Sequence, residues 1–427
     1  MFCNQCEETI KGGCTQIGVC GKNEDISSLQ DTIIYGLKGI AAYAYHAKEL
    51  GFNDPEVDSF MHKALFQTLT NSNFNLDEHI NLALEVGTIT IKAMELLDKA
   101  HTETLGVPVP VKVEQGKING KCILVTGHDM YALKKLLEQT QDKCVNIYTH
   151  SEMLPAHGYP ELKKFNHLKG NVGGAWHDQK KVFEEFPGAI LVTTNCVMPI
   201  TTQSYKNRIF TYGIAGVEGI DKIENDDFSP VIDKALSLPQ ADVDSDKNLD
   251  TGFHHNTVLD LAPKIIELVN SGAIKRFFVI AGCDGPESSR EYFRELALKV
   301  PKDCIILTTS CGKFRFNDHD FGDIEGIPRL IDLGQCNNSI SCIKIATALA
   351  ENFNCSVNDL PLTIVLMWFE QKAVAILLSL LSLNVKNIYL GPKAPEFLSP
   401  NVAKKLMDTF NLQLTTTVDE DLPNMLR

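Results

Sequence analysis

Residues 276–336 read RFFVIAGCDGPESSREYFRELALKVPKDCIILTTSCGKFRFNDHDFGDIEGIPRLIDLGQC, and the rest of the chain is organised around this segment. It contains three short apolar runs bounded by Gly, Asp or Pro: 276–280, 304–309 and 329–333. Runs of this length and composition predict buried strands rather than helices. A cysteine in a turn that contains glycine follows each run: Cys283, Cys311 and Cys336. Because ligands bind at the carboxyl ends of strands in open parallel sheets, the pattern predicts a soft-metal site.

The composition is that of a soluble globular enzyme. The chain has 427 residues, of which 44% are hydrophobic and 22% are charged, and this length predicts two or three domains. The net charge of −14 makes nucleic acid and anionic membranes poor partners. The longest apolar run, 373–383, is too short to span a bilayer and predicts a core helix.

The chain contains 13 cysteines, and its first residues carry no secretory signal. Without export, cysteines serve metal binding or redox chemistry more often than disulfides, which predicts a cytoplasmic protein. Four of them have the spacing C-x2-C-x7-C-x5-C near the start: Cys3, Cys6, Cys14 and Cys20. A structural zinc site usually shows two C-x2-C pairs. Only one pair is present, so the spacing favours an iron–sulfur cubane in a single loop, with zinc as the alternative.

Apolar residues repeat at helical spacing between residues 27 and 105. Asp54 before Pro55, and Asn75 before Glu78, are typical of helix starts. Three helices of this length predict one antiparallel bundle. We expect the aromatic and histidine side chains of this bundle to pack or face solvent rather than to bind a metal.

From residue 121 onward, strands and helices alternate, which predicts parallel α/β sheets. Six further strands are predicted in addition to the three within residues 276–336: 122–126, 144–148, 189–194, 208–212, 362–368 and 387–390. A helix is predicted over 256–270, and the polar segment 240–251 predicts a domain boundary. The predicted fold is a cubane-binding loop with a three-helix bundle, followed by two Rossmann-like α/β domains with a cluster between them. The predicted domains are 1–110, 111–252 and 253–427.

Both predicted sheets carry possible metal ligands after their strands. These seven residues are His128, Glu152, Cys196, Cys283, Cys311, Cys336 and Glu370. Each alone is as well explained by a turn, a solvated surface or a helix start. Their repetition at equivalent positions predicts one shared crevice. Mixed sulfur, nitrogen and oxygen donors argue against a closed zinc site and favour iron with open positions.

The sequence resembles the hybrid cluster proteins, also called prismane proteins or hydroxylamine reductases. The motifs that carry this resemblance are MFCNQCEET, TGHD, HSEMLPAHGYPEL, NVGGAW, TTNC, GCDG, CGKFRF, GQCNNS and WFEQKAV. They occur in family order over nearly the whole chain. Longer members have two helical bundles, whereas residues 27–105 leave room for one, so the chain resembles a short form.

The resemblance implies two cofactors. Cys3, Cys6, Cys14 and Cys20 would hold a 4Fe–4S cluster. The seven shared donors would hold a hybrid 4Fe–2S–2O type cluster, with a persulfide on Cys283 in the oxidised protein. The implied partners are a small nitrogen-oxide substrate and an external electron donor, either a ferredoxin or a flavin or iron–sulfur reductase.

The activity that the resemblance implies is reduction of hydroxylamine to ammonia and water at an open iron site. Lys372 follows Glu370 closely and is the candidate for a nearby positive charge or proton donor, although it could be an ordinary charge at a helix start. Two alternatives are reduction of nitric oxide to nitrous oxide in nitrosative stress, and trans-nitrosylation of partners through Cys283. Nickel would instead favour the carbon monoxide dehydrogenases, which share the architecture.

Overall fold

The computed structural model describes residues 3–198, 204–244 and 247–427. Three helices follow the N-terminal cysteine loop: α1 Glu24–Glu49, α2 Pro55–Gln67 and α3 Leu76–Leu105. The predicted starts are confirmed, because the Asp54 side chain accepts a hydrogen bond at the start of α2 and the Asn75 side chain does so at the start of α3. These side chains satisfy amide groups that have no partner inside the helix.

The first sheet is predominantly parallel and has seven strands among the described residues. The strands are β1 Val111–Gln115, β2 Lys121–Thr126, β3 Val145–His150, β4 Leu168–Asn171, β5 Ala189–Val192, β6 Ile209–Thr211 and β7 Lys247–Thr251. Their order is β6-β5-β2-β3-β4-β1-β7, and only β7 is antiparallel to its neighbour in this sheet. The predicted parallel sheet is confirmed.

The second sheet is parallel throughout the part of the chain that the structure describes. Its order is β12-β9-β8-β13-β14-β15, and a small hairpin pairs β10 with β11. These strands are β8 Arg276–Gly282, β9 Cys304–Thr308, β10 Asp323–Ile324, β11 Ile327–Pro328, β12 Leu330–Asp332, β13 Leu362–Met367, β14 Ile388–Gly391 and β15 Gln413–Leu414. The three strands predicted within residues 276–336, which are β8, β9 and β12, therefore lie in one sheet, as expected.

The other helices pack around the sheets. They are α4 Met130–Thr140, α5 Pro160–Lys163, α6 Gln179–Glu185, α7 Ser229–Ser237, α8 His255–Asp260, α9 Ala262–Ser271, α10 Glu291–Lys299, α11 Ser339–Phe353, α12 Gln371–Ser382, α13 Pro400–Phe410 and α14 Val418–Met425. The single helix predicted over 256–270 is wrong. The chain breaks at Leu261 because Pro263, in the first turn of α9, has no amide hydrogen to continue the ladder of α8.

The polar segment predicted as a boundary contains a strand. Residues 245 and 246 of it lie outside the described residues, but Lys247–Thr251 pairs with β1 along its whole length. Sequence patterning misses this strand because it lies at an edge of the sheet, where only Leu249 and Thr251 are buried. Its alternating burial pattern is nonetheless that of a half-buried strand.

The predicted core helix is confirmed, since residues 373–382 of the apolar run lie within α12 and Leu383 caps it, and α12 packs against both α1 and α3. The bundle therefore rests on α12 and shares a core with the second sheet. The contact is close: a Cβ atom on Gly87 of α3 would lie 2.0 Å from the carbonyl oxygen of Leu378 in α12. None of the helices in the described segments is long and apolar enough to cross a membrane.

Gly87→Ala is expected to destabilise the protein because the new methyl group would overlap the backbone of α12. Overpacking against the backbone costs roughly 3 kcal/mol, which lowers the Tm of a protein of this length by about 3 °C. Scanning calorimetry would measure the shift. Thr88→Ala is the matched control, since Thr88 is the next residue of α3 and is exposed. An unchanged Tm in Gly87→Ala would mean that α3 and α12 are not packed this closely.

Candidate metal centre

The carboxyl edges of the two sheets face each other, and the turn after β12 joins them. The side-chain amide nitrogen of Gln335, Nε2, donates hydrogen bonds to the backbone carbonyls of His128, at 3.1 Å, and of Glu152, at 2.8 Å. The backbone amide of Cys336 donates to Oε2 of Glu152 at 3.0 Å. Side chains that follow strands of different sheets therefore meet in one buried space.

Three of the seven predicted donors form the tightest group. The ligand atoms of His128, Glu152 and Cys336 all lie within 4.8 Å of one another, and all three residues are buried. His128 Nδ1 lies 2.9 Å from the Thr194 hydroxyl, and Nε2 lies 3.1 Å from the Lys372 ammonium group. Since an ammonium group can only donate, Nε2 is the acceptor and the proton is on Nδ1. Burial lowers the pKa of His128 well below its usual value, so the ring is neutral.

Glu152 has an unsatisfied oxygen. Its Oε1 is buried and has no hydrogen-bond partner among the described residues. Burial raises the pKa of Glu152 to about 7, an effect that Lys313 and Lys372 only partly offset. A buried carboxylate oxygen without a partner is costly unless it binds a cation. Glu152 therefore has the properties of a metal ligand.

The remaining thiols lie beside this group, with Cys311 buried and with Cys196 and Cys283 half-buried. Burial is the main cause that raises the pKa of Cys196, Cys283, Cys311 and Cys336, and negative charge on neighbouring members of the donor set adds to it. For Cys283 the pKa rises to about 12. Buried thiols of this kind ionise readily only when a metal takes the proton's place.

Gly282 is required at the turn that presents Cys283. Its φ of +118° is in the region that favours glycine, and a Cβ atom there would lie 2.0 Å from the Met367 carbonyl oxygen. The same carbonyl accepts a hydrogen bond from the Cys283 amide at 2.9 Å. The next amide, that of Asp284, donates to the Cys311 sulfur at 3.2 Å. The turn after β8 therefore holds two of the thiols close together.

Glu370 and Lys372 reach the centre through Asn195, a residue that sequence analysis missed. The Asn195 amide donates to Glu370 Oε1 at 2.7 Å and to the Cys196 sulfur at 3.2 Å. Its oxygen accepts a hydrogen bond from Lys372 at 3.0 Å. Lys372 is only 7% exposed, so it is not an ordinary charge at a helix start. Burial alone would lower the pKa of Lys372, but negative charge on Cys336 and Glu370 outweighs burial and raises it.

The N-terminal loop gathers its four cysteines over a wider span. Cys3 and Cys14 are buried, and their backbone amides and carbonyls form hydrogen bonds with each other. Cys6 and Cys20 are partly exposed. No three of these sulfur atoms lie within 4.8 Å of one another in the described residues. Four thiolates around one zinc ion, with bonds of about 2.3 Å, would be roughly 3.8 Å apart. The loop is therefore more open than a zinc site.

Two adjacent histidines after the predicted boundary, His254 and His255, are buried. His254 is 1% exposed and its Nε2 lies 2.9 Å from Asp98 of α3, while His255 stacks on the His254 ring. His254 Nδ1 accepts the Asn256 amide, so Nε2 holds the proton and cannot bind a metal in this arrangement. This group connects α3 to the start of α8.

Three other cysteines lie at the starts of predicted strands. Cys122 and Cys304 are buried, whereas Cys144 is exposed.

A polar network surrounds Asp284, the residue after Cys283. The Asp284 carboxylate accepts hydrogen bonds from Arg315 at 2.9 Å and from His177 at 3.1 Å. Burial alone would lower the pKa of His177, but hydrogen bonds and charges from Asp178 and Asp284 outweigh it and raise the pKa to about 9. His177 is therefore protonated at neutral pH and connects the two sheets beside the centre.

The raised pKa of His177 predicts a pH-dependent stability. The imidazolium form stabilises the fold fully below the unfolded pKa of about 6.5, and this contribution is lost as the pH rises through about 9. Between these two pKa values, we expect the free energy of unfolding of the parent protein to fall by about 1–3 kcal/mol. In His177→Gln this fall should be absent. Tm measured between pH 6 and 10 tests this. Equal slopes for the two proteins would contradict it.

Comparison with known sequences identifies the group to which the chain belongs. The model of the Prismane/CO dehydrogenase family matches residues 1–81 and 75–423. The chain belongs to the Prismane/CO dehydrogenase family. A hydroxylamine reductase of Moorella thermoacetica is 60% identical over 427 residues, which cover 100% of both chains. A hydroxylamine reductase of Methanothermobacter thermautotrophicus is 48% identical, again over 100% of both chains.

A solved structure shares the fold of this Prismane/CO dehydrogenase family member. Carbon monoxide dehydrogenase IV from Carboxydothermus hydrogenoformans superposes with a TM-score of 0.80, covering 99% of this chain and 91% of that chain. The two sequences are 14% identical, so the likeness concerns the fold alone. The resemblance stated from the motifs and the predicted α and α/β architecture are both confirmed.

The donor set fits a multi-iron cluster better than a single ion. Four thiols, one neutral imidazole and two carboxyl groups lie together, four of the seven residues buried and three half-buried, and only three of them come within 4.8 Å of one another in the described residues. Soft sulfur and hard oxygen donors together are typical of iron sites that also bind exchangeable ligands. His128 Nε2 could bind a metal only if Lys372 gave up its hydrogen bond to that lone pair.

Proposed function

We propose that this protein is an iron–sulfur oxidoreductase that reduces hydroxylamine to ammonia and water. The observation that carries the proposal is that seven candidate donor side chains lie together at the facing edges of two sheets, with a buried oxygen of Glu152 that no described residue satisfies. The relatives named hydroxylamine reductase support the choice of substrate. The overall reaction consumes two electrons and two protons for each hydroxylamine.

The hybrid 4Fe–2S–2O type cluster would be held by these seven side chains: His128, Glu152, Cys196, Cys283, Cys311, Cys336 and Glu370. When bound, the cluster supplies open iron positions and electrons for cleavage of the N–O bond. A persulfide on Cys283 is part of the proposal. The N-terminal cysteines Cys3, Cys6, Cys14 and Cys20 would hold a 4Fe–4S cluster, which supplies one-electron transfer from an external donor, either a ferredoxin or a reductase. Partial exposure of Cys6 and Cys20 supports this role.

The chain's own groups have separate tasks. Lys372 holds a proton at Nζ inside the buried space, and its raised pKa keeps that proton in place between turnovers. Asn195 fixes Lys372 relative to Glu370, since its amide bonds both side chains. His128 would hold the metal through Nε2, and Lys372, without that acceptor, would be free to donate a hydrogen bond or a proton to the substrate nitrogen or oxygen.

Anaerobic purification followed by metal analysis and assay tests the proposal. We expect iron and sulfide in amounts for two clusters, no nickel, and one ammonia formed for each hydroxylamine consumed with reduced methyl viologen as the donor. Nitric oxide is assayed in parallel with the same donor. Nickel in the protein, iron for only one cluster, or faster turnover of nitric oxide than of hydroxylamine would contradict the proposal.

A further inference from the structure

Tyr43 lies in the middle of α1, and its ring belongs to the core that the bundle shares with Cys336. The residue is only 2% exposed. Its hydroxyl oxygen is also buried, yet it forms no hydrogen bond of normal geometry with any residue in the described segments. Packing in this core explains the position of the ring. It does not explain why a hydroxyl oxygen is buried there without a partner.

The ionisable groups that act on this hydroxyl belong to the candidate metal centre. After burial, the Cys336 thiol is the largest cause that raises the pKa of this hydroxyl, and Cys283 and Glu370 add to it. All three are among the proposed cluster ligands. A buried hydroxyl that lacks a partner is destabilising, and phenylalanine would fill the same apolar space without this cost. The hydroxyl therefore requires an acceptor on the side where these three ligands lie.

We propose that the Tyr43 hydroxyl donates a hydrogen bond to the sulfur of Cys336 when that sulfur binds the cluster, and that this bond raises the reduction potential of the cluster. The inference rests on the proposed function. Tyr43 acts here as a positioning residue through Cys336. Burial is the main cause that raises the pKa of Tyr43 well above its usual value, so the phenol remains a neutral donor.

Tyr43→Phe removes the donor and keeps the ring. A hydrogen bond to a ligating sulfur stabilises the reduced, more negative cluster, so its loss should shift the midpoint potential of the hybrid cluster to more negative values. The midpoint of the N-terminal cluster should not change. The measurement is a redox titration of the purified holoenzyme followed by EPR. ENDOR in H2O and D2O should also show that one exchangeable proton coupled to the cluster is lost.

Tyr45→Phe is the matched control. Tyr45 lies two residues further along the same helix and is 43% exposed. Its hydroxyl interacts with Glu49 rather than with a proposed ligand. The same loss of one hydroxyl should leave both midpoints and the exchangeable proton unchanged.

A Tyr43→Phe protein with the midpoint and the exchangeable proton of the parent would overturn the inference. If this variant failed to retain iron, site-specific 3-fluorotyrosine at position 43 would be used instead, because it keeps the ring and is a more acidic donor. Its midpoint should shift to more positive values, and an unchanged midpoint would overturn the inference. Neither readout requires hydroxylamine. A parent protein without a second cluster would overturn the proposed function together with the inference. An unchanged midpoint in a protein that holds both clusters would overturn the inference alone.

Discussion

Cys311→Ala is expected to lose the hybrid cluster and to reduce hydroxylamine turnover by at least about a thousandfold. Cys311 is 4% exposed, and its sulfur lies inside the buried space where it accepts the Asp284 amide. A methyl group cannot bind iron, and the remaining thiols would stay protonated because of their burial. Iron content should fall by about half, since the N-terminal loop keeps its own cluster. Iron and sulfide analysis together with the turnover rate measures both effects.

Cys304→Ala is the matched control for this substitution. Cys304 is fully buried and begins β9, the same strand that Cys311 follows at its opposite end. Replacing this thiol should cost about 1 kcal/mol of stability through lost packing and leave the iron content unchanged. If the two variants lost the same amount of iron, or if Cys311→Ala kept all of it, Cys311 would not be a ligand.

Lys372→Met is expected to lower kcat by about 100- to 1,000-fold while the iron content stays that of the parent. Methionine keeps much of the apolar stem but removes the ammonium group that contacts His128 and Asn195. Without it, the centre has no buried cation next to Glu370 to hold a proton for the substrate. The assay is ammonia formation with reduced methyl viologen as the donor.

Two further lysine variants separate a role in chemistry from a general charge effect. Lys372→Arg retains a positive charge and should recover part of the lost rate. Lys393→Met removes an exposed lysine that follows the neighbouring strand β14, and its rate should equal that of the parent. Unchanged turnover in Lys372→Met would assign the proton donor elsewhere, and loss of iron in that variant would make Lys372 a structural residue of the centre.

The strands and their ends could be predicted because both depend on local sequence. A buried strand has a short apolar run, and the turn that follows carries glycine and the ligand, as at Gly282 and Cys283. Residues at the carboxyl edge of a parallel sheet share one surface, so the convergence of ligands could be predicted too. The division at residues 110 and 252 remains a prediction.

The residues that support the ligands could not be found in this way. Asn195, Gln335 and Tyr43 have roles that depend on partners far away in sequence, and a single sequence does not indicate such pairs. Asn195 contacts Glu370 across 175 positions. The buried Asp98–His254 pair spans 156 positions and was missed for the same reason. Only the position of Asn195 directly before Cys196 could have drawn attention to it.

The facing of the two sheet edges constrains how the protein is made. The four proposed ligands of the first cluster, Cys3 to Cys20, lie within one short segment, whereas those of the hybrid centre extend from His128 to Glu370. A loop that forms locally could therefore receive the first cluster. The hybrid centre is incomplete until both sheets have formed and their edges have met, so insertion of its cluster would depend on tertiary folding.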